Sequence, residues 1–313
     1  MMEPRTLGFV EQSCNGQLVA GERSASVRHI CTDSRLAKPG DLFVAIRGDR
    51  FDGHDYLNDA LGQGAEAAVV NRSCLGQAES AGPMIGVDET RRALGQLAAR
   101  YRQDFELPVV AVGGSNGKTS TKEILATVLG QRLETLSSEA SFNNDIGVPL
   151  TLLRLREAHE AAVLEVGSNH PGELEPLLQL IRPGYGVLTS IGREHLEFFG
   201  DIEGVIEEEG ALAEALPPEG CLFVNGDIEG LEAIRRRCRA TVVPVREGEA
   251  CDWRIADIRS DDKGTTFEII SPKGDRNGAY CVNLLGHQNA RNAALAIALA
   301  AELGLSREEL DQG

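Results

Sequence analysis

Residues 109–123, VVAVGGSNGKTSTKE, pass from an apolar β-branched run through a glycine-rich turn into a Lys-Thr-Ser helix start. Such a segment commits the chain to a buried strand that ends where a helix begins. Gly113, Gly114 and Gly117 permit the tight turn, and N–H groups at a helix N-terminus attract anions. The pattern predicts a phosphate-binding loop. Gly114, Ser115, Asn116 and Gly117 would wrap the phosphates, and Lys118 would reach the β- and γ-phosphates as a point charge. Thr119 or Ser120 would offer a hydroxyl to Mg²⁺. The first glycine of the usual pattern would fall where this chain has Val112, so the loop is a variant. The competing reading is an ordinary strand-to-helix turn with a solvated lysine.

At 313 residues and 42% hydrophobic content, the chain can bury two or three cores. Its 31 Lys and Arg stand against 48 Asp and Glu, a formal net charge of −17, which argues against nucleic acid and makes any anionic ligand depend on local positive groups. Seven scattered cysteines without a Cys-x-x-Cys pair point to reduced thiols. The N-terminus lacks the features of a signal peptide, and no apolar stretch approaches the roughly 20 residues that cross a bilayer. The expectation is a soluble cytoplasmic protein, monomeric, with small-molecule partners and neither nucleic acid nor membrane.

Along the chain, short alternating runs over 1–105 read as a small α/β domain. Its last helix places Leu94, Leu97, Ala98 and Tyr101 at helical spacing, so the boundary falls between Tyr101 and Pro108. Over 106–313 the pattern alternates: strands at 109–113, 161–166, 186–191, 221–224 and 241–245, helices at 118–130, 173–181, 202–216 and 229–238. That alternation predicts right-handed βαβ units and a mainly parallel sheet flanked by helices. An antiparallel meander is expected over 251–285, then a helix from about 288 to 303 and a polar tail.

Open parallel sheets bind ligands at the carboxyl ends of their strands. Besides the phosphate loop, three such positions carry suggestive chemistry. Glu165 ends an apolar strand, where a carboxylate needs a metal or a basic partner unless the strand is already emerging into solvent. His195 follows strand 186–191; alone, it reads as a structural hydrogen-bonding residue. Asn143 and Asn144 can orient a carboxylate or phosphate, or simply make a turn.

GGSNGKTS at 113–120, SFNNDIGVP at 141–149, LEVGSNHPGEL at 164–174, TSIGREHLEFFG at 189–200 and GHQNARNAALA at 286–296 follow a known order and approximate spacing. Together they resemble the Mur ligases, the ATP-dependent amide ligases of peptidoglycan precursor synthesis and so of cell-wall building, shape and division. The segment at 32–70 resembles the UDP-sugar-binding domain of the members that add the third and later stem-peptide residues. The resemblance implies a UDP-precursor-binding domain over 1–105 and a central ATP-binding domain over 106–313. NNDIGVP, with the GEL after EVGSNHP, is similar to the members that join D-alanyl-D-alanine to UDP-N-acetylmuramoyl-tripeptide through an acyl phosphate. The alternatives are a third-residue-adding ligase and a non-catalytic UDP-precursor or nucleotide-binding module.

The same resemblance implies site roles. Thr119 and Glu165 would hold one Mg²⁺ and His195 a second, while Asn289 and Asn292 would contact the nucleotide. Ser34 and Arg35 would lie by the uridine nucleotide, although each could equally belong to a structural turn. Where most members have a carbamoylated lysine, this chain has Glu209, which could supply a fixed carboxylate to the second metal, with Glu208 beside it; the acidic run could also be a solvated helix face. Gln288 stands where relatives often have histidine and Ser190 where they often have asparagine. Members of the family also continue for about 100 to 150 residues beyond the point corresponding to Gly313.

Overall fold

The apolar run forms the strand Val109–Gly113, buried along its whole length, inside a nine-stranded sheet. A computed structural model of the chain describes residues 2–78, 82–193, 196–248 and 253–313. Val109–Gly113 pairs in parallel with Ala161–Glu165 on one side and Tyr185–Leu188 on the other. Register aligns Glu165 with Val112 and Leu188 with Gly113, so three strands deliver their carboxyl ends to one level. From Tyr185–Leu188 the sheet continues in parallel through Cys221–Asn225, Thr241–Glu247 and Trp253–Asp261. It then turns antiparallel through Gly264–Ile270 and Gly278–Val282, as the meander pattern requires. This mixed, mainly parallel α/β architecture agrees with the alternation in the sequence.

Helix Lys118–Leu129 buries Lys122, Leu125, Val128 and Leu129 and packs along His287–Glu302. Alanines at 290, 293, 294, 296, 298 and 300 of His287–Glu302 are buried between that neighbour and the sheet strands the helix also packs on. Among the elements not expected from the sequence are a short strand and a short helix. Thr135–Ser137 adds an edge strand too short to show an alternating pattern. The expected polar tail contains the helix Arg307–Gln312, started by a capping box between Ser306 and Glu309.

The chain divides into two compact units, Met1–Glu106 with Asp145–Glu157, and Leu107–Asn144 with Ala158–Gly313. The first unit holds a five-stranded sheet ordered Gln17–Leu18, Met84–Val87, Ala67–Asn71, Asp41–Val44 and His29–Cys31, parallel except at its Gln17–Leu18 edge. The single cut near residue 105 therefore differs from the observed division. Helix Gly147–Leu152 packs on Thr90–Arg102, and the hydroxyl of buried Tyr101 donates to the Leu155 carbonyl at 2.7 Å. An apolar helix can join either of two cores, and local pattern does not say which.

No helix among the described residues is long and apolar enough to cross a membrane. The six described cysteines are free thiols, and burial pushes those of Cys14 and Cys221 up to about 12.

Candidate active site at the strand ends

The turn after Val109–Gly113 needs two residues in the left-handed region, Gly114 at φ +115° and Gly117 at φ +88°. A Cβ on Gly114 would lie 2.5 Å from Thr189 Oγ1, and one on Gly117 would lie 2.8 Å from Asn292 Oδ1. Both glycines are therefore required by backbone conformation and by close packing.

The loop spends three of its N–H groups internally. Gly114 N–H donates to Glu209 Oε2 (2.8 Å), Ser115 N–H to the Ser190 carbonyl (2.9 Å) and Asn116 N–H to Ser190 Oγ (2.7 Å). Thr189 Oγ1 donates to the carbonyls of Gly113 and Asn116, which fastens the loop from its other side. The expectation that the N–H groups from Gly114 onward all face phosphate is thus narrowed. No side chain caps helix Lys118–Leu129, and the N–H groups of Lys118, Thr119 and Ser120 have no acceptor among the described residues. Those three form the anion-receptive end of the helix. Lys118 itself folds back, its Nζ donating to the carbonyls of Gly114 and Ser115, the latter at 2.9 Å.

Glu165 is 1% exposed. Asn143 Nδ2 donates to its Oε1 at 2.9 Å, and Ser138 Oγ accepts from its backbone N–H at 3.1 Å. Oε2 is buried without a partner among the described residues. Gly167 borders the same place, since a Cβ there would lie 3.1 Å from Asn143 Nδ2 and 3.6 Å from Lys118 Cε. Lys118, Asn143 and Glu165 are therefore neighbours, and Thr119 Oγ1 lies 3.5 Å from Ser141 Oγ on the same segment. Asn144 is exposed on the turn that follows.

Helix Ile202–Ala215 contributes two buried carboxylates rather than a solvated acidic face. Glu209 holds Gly114, while Glu208 accepts from the N–H groups of Gly172 and Leu174 at 2.7 and 2.8 Å. Asn292 is 1% exposed against Gly117, and its Nδ2 has no partner among the described residues; Asn289 lies one turn earlier and donates to the Leu285 carbonyl. His195 lies outside the described residues. No cluster of three or more His, Cys, Asp or Glu side chains suited to a metal occurs among the described residues, so a cation here would rely on Glu165 with hydroxyl, water and phosphate oxygens.

In the first unit, Ser34 and Arg35 border a cavity of about 430 Å³ also lined by Thr32, Phe43, Phe51 and Tyr56. Ser34 is buried, whereas Arg35 is exposed and its guanidinium grips Asp33, holding that carboxyl below the usual range.

Thr189, Ser138 and Lys122 are site residues that the sequence reading did not single out. Thr189 falls inside the expected strand 186–191 and follows directly on the observed strand Tyr185–Leu188, so only the earlier strand end exposes it; the other two sit in unremarkable polar stretches.

Residues 112–300 match the Mur ligase middle domain and residues 26–102 the Mur ligase family catalytic domain. The chain is 35% identical over 297 residues to the UDP-N-acetylmuramoyl-tripeptide–D-alanyl-D-alanine ligase of Haemophilus influenzae, covering 94% of this chain but 64% of that protein. The crystal structure of MurF from Acinetobacter baumannii superposes with a TM-score of 0.91 at 32% identity, over 99% of this chain and 68% of that one. MurF from Thermotoga maritima in complex with ADP gives a TM-score of 0.80 at 26% identity, over 91% of this chain and 66% of that one.

Proposed function

This chain belongs to the Mur ligase family, and from that membership we propose that it carries the precursor-binding and ATP-binding parts of a ligase joining D-alanyl-D-alanine to UDP-N-acetylmuramoyl-tripeptide. The observation that carries the reading is Glu165 Oε2, a buried carboxylate oxygen without a partner among the described residues, whose neighbour Asn143 borders Gly167 together with the phosphate-loop lysine. Such a group calls for a cation, and a Mg²⁺ held by Glu165, Thr119 and phosphate oxygens fits it. The ADP in the Thermotoga maritima relative supports a nucleotide as the ligand.

In this reading the N–H groups of Lys118, Thr119 and Ser120 receive phosphate oxygens, and Lys118 exchanges its loop carbonyls for the transferring phosphoryl group. The tripeptide carboxylate takes the γ-phosphoryl group of ATP as ADP leaves, and the dipeptide amine, losing a proton, then displaces phosphate from the acyl phosphate. Little covalent chemistry falls to the protein, so positioning and charge stabilisation carry the rate. Mg²⁺, when bound, offsets charge gathering on the phosphate oxygens. Asn143 holds Glu165 in place, and Asn144 lies near the substrate. Asn289 and Asn292 meet the nucleotide, while Ser34 and Arg35 lie by the uridine nucleotide. His195 and Glu209 serve a second metal, with Glu209 in place of the carbamoylated lysine. Use of ATP and a UDP-linked precursor implies a cytoplasmic setting.

Calorimetry with a non-hydrolysable ATP analogue plus Mg²⁺, and separately with UDP-N-acetylmuramoyl-tripeptide, tests the binding roles; absence of binding to both overturns the reading. Phosphate release with D-alanyl-D-alanine, compared with meso-diaminopimelate, lysine and glutamate, tests the acceptor. Glu209→Ala kinetics at saturating Mg²⁺ test the second metal, since unchanged turnover removes Glu209 from it.

A further inference from the structure

Lys122 is 0% exposed, on a helix whose other buried residues include Leu125, Val128 and Leu129. An ammonium has three donors, and all three are used: Nζ donates to the carbonyls of Ser138 and Ala140, both at 2.9 Å, and to Glu123 Oε1 at 2.6 Å. Burying a cation in this way costs free energy that an apolar side chain would not incur. What the ammonium achieves, and an apolar group cannot, is to grip two carbonyls of one segment.

That segment is under strain. Ala140 sits at φ +44°, a conformation that costs a non-glycine residue roughly 1 to 2 kcal/mol and persists only where its surroundings over-determine it. The same segment grips Glu165 at both ends. Ser138 Oγ accepts the Glu165 N–H, and Asn143 Nδ2 donates to Oε1, leaving Oε2 without a partner among the described residues. The path from Lys122 to the carboxylate is therefore continuous: ammonium, the 138 and 140 carbonyls, then the Ser138 hydroxyl and the Asn143 amide.

We propose that Lys122 is a positioning residue for Glu165, holding segment 138–143 so that Oε2 is presented to the cation that accompanies the nucleotide. The inference rests on the reading of Glu165 as a metal carboxylate given above. With its ammonium buried and all three donors engaged, Lys122 would act through the segment it anchors.

The test uses Mn²⁺ in place of Mg²⁺, with the full chain saturated by a non-hydrolysable ATP analogue and free Mn²⁺ read by electron paramagnetic resonance. Lys122→Met is expected to weaken Mn²⁺ binding about tenfold, the scale on which outer-shell partners act, while metal-free affinity for the analogue stays within about twofold. A purely structural role would lower the melting temperature and leave the Mn²⁺ affinity of the folded protein unmoved. Glu165→Gln is the reference. If it weakens Mn²⁺ binding and Lys122→Met does not, the positioning role is overturned while the metal assignment stands. If Glu165→Gln itself leaves Mn²⁺ binding unchanged, the metal assignment fails and the inference with it. Should Lys122→Met not fold, Ser138→Ala breaks the same path nearer to Glu165; it too is expected to weaken Mn²⁺ binding, and an unchanged affinity overturns the proposal.

Discussion

Gly117 and Asn292 lie so close that a Cβ on the glycine would come within 2.8 Å of the asparagine Oδ1, although they are far apart in the sequence. The contact ties the phosphate loop to the first turns of helix His287–Glu302. Gly117→Ala meets both this clash and a backbone at φ +88°. It is expected to cost about 1 to 3 kcal/mol of stability and to abolish measurable nucleotide binding. Denaturant unfolding and calorimetry with an ATP analogue check the two effects; an alanine variant that binds normally would show that the loop relaxes away from Asn292.

Glu209 offers a prediction that separates its loop contact from its proposed metal role. Removing the acceptor leaves the Gly114 N–H buried and unpaired, so Glu209→Ala is expected to lose about 1 to 3 kcal/mol in denaturant unfolding. Glu209→Gln retains a carbonyl oxygen and should keep most of that stability. Equal losses in the two variants would mean that the Gly114 contact contributes little.

Tyr101 spans the first unit, accepting from the Glu3 N–H and donating to the Leu155 carbonyl, each at 2.7 Å. Tyr101→Phe keeps the ring but strands both partners, and a loss of about 1 to 3 kcal/mol is expected. Hydrogen exchange should quicken over 147–155 more than in strands Ala67–Asn71 or Val109–Gly113. Uniform change across the chain would argue against Tyr101 as the local anchor of that segment.

Asp52 gives a pH dependence. Burial pushes its carboxyl up, but the His54 N–H and ring together with the Arg47 guanidinium outweigh this and bring it down to about 2. A carboxyl lowered in the folded state adds stability above its unfolded value and loses it as pH falls through the folded value. The Asp52 contribution should therefore be complete at pH 6 and vanish between about pH 4 and pH 2. Asp52→Asn should unfold more easily than the parent at pH 6 and converge with it at pH 2. A constant gap across that range would remove Asp52 from the acid response.

Much of the architecture was legible because its causes are local. The strand-to-helix turn at 109–123 and the alternation that follows both depend on residues within a few positions of one another. Carboxyl strand ends likewise pointed to Glu165 before any contact was visible. Lys122 and Ser138 were not legible, because a lysine in a helix and a serine in a turn ordinarily face water.

The sequence by itself determined that a glycine-rich turn leads from a buried strand into a helix, that the sheet is mainly parallel, and that its chemistry gathers at the strand ends. Only tertiary structure decided that Glu209 would take the Gly114 N–H from 95 residues away, that Asn292 would press on Gly117, and that residues 145–157 would join the first unit. Periodicity and turn chemistry record what neighbours along the chain require. Which distant groups share a buried space depends on how complete elements pack, and no short window of sequence contains that information.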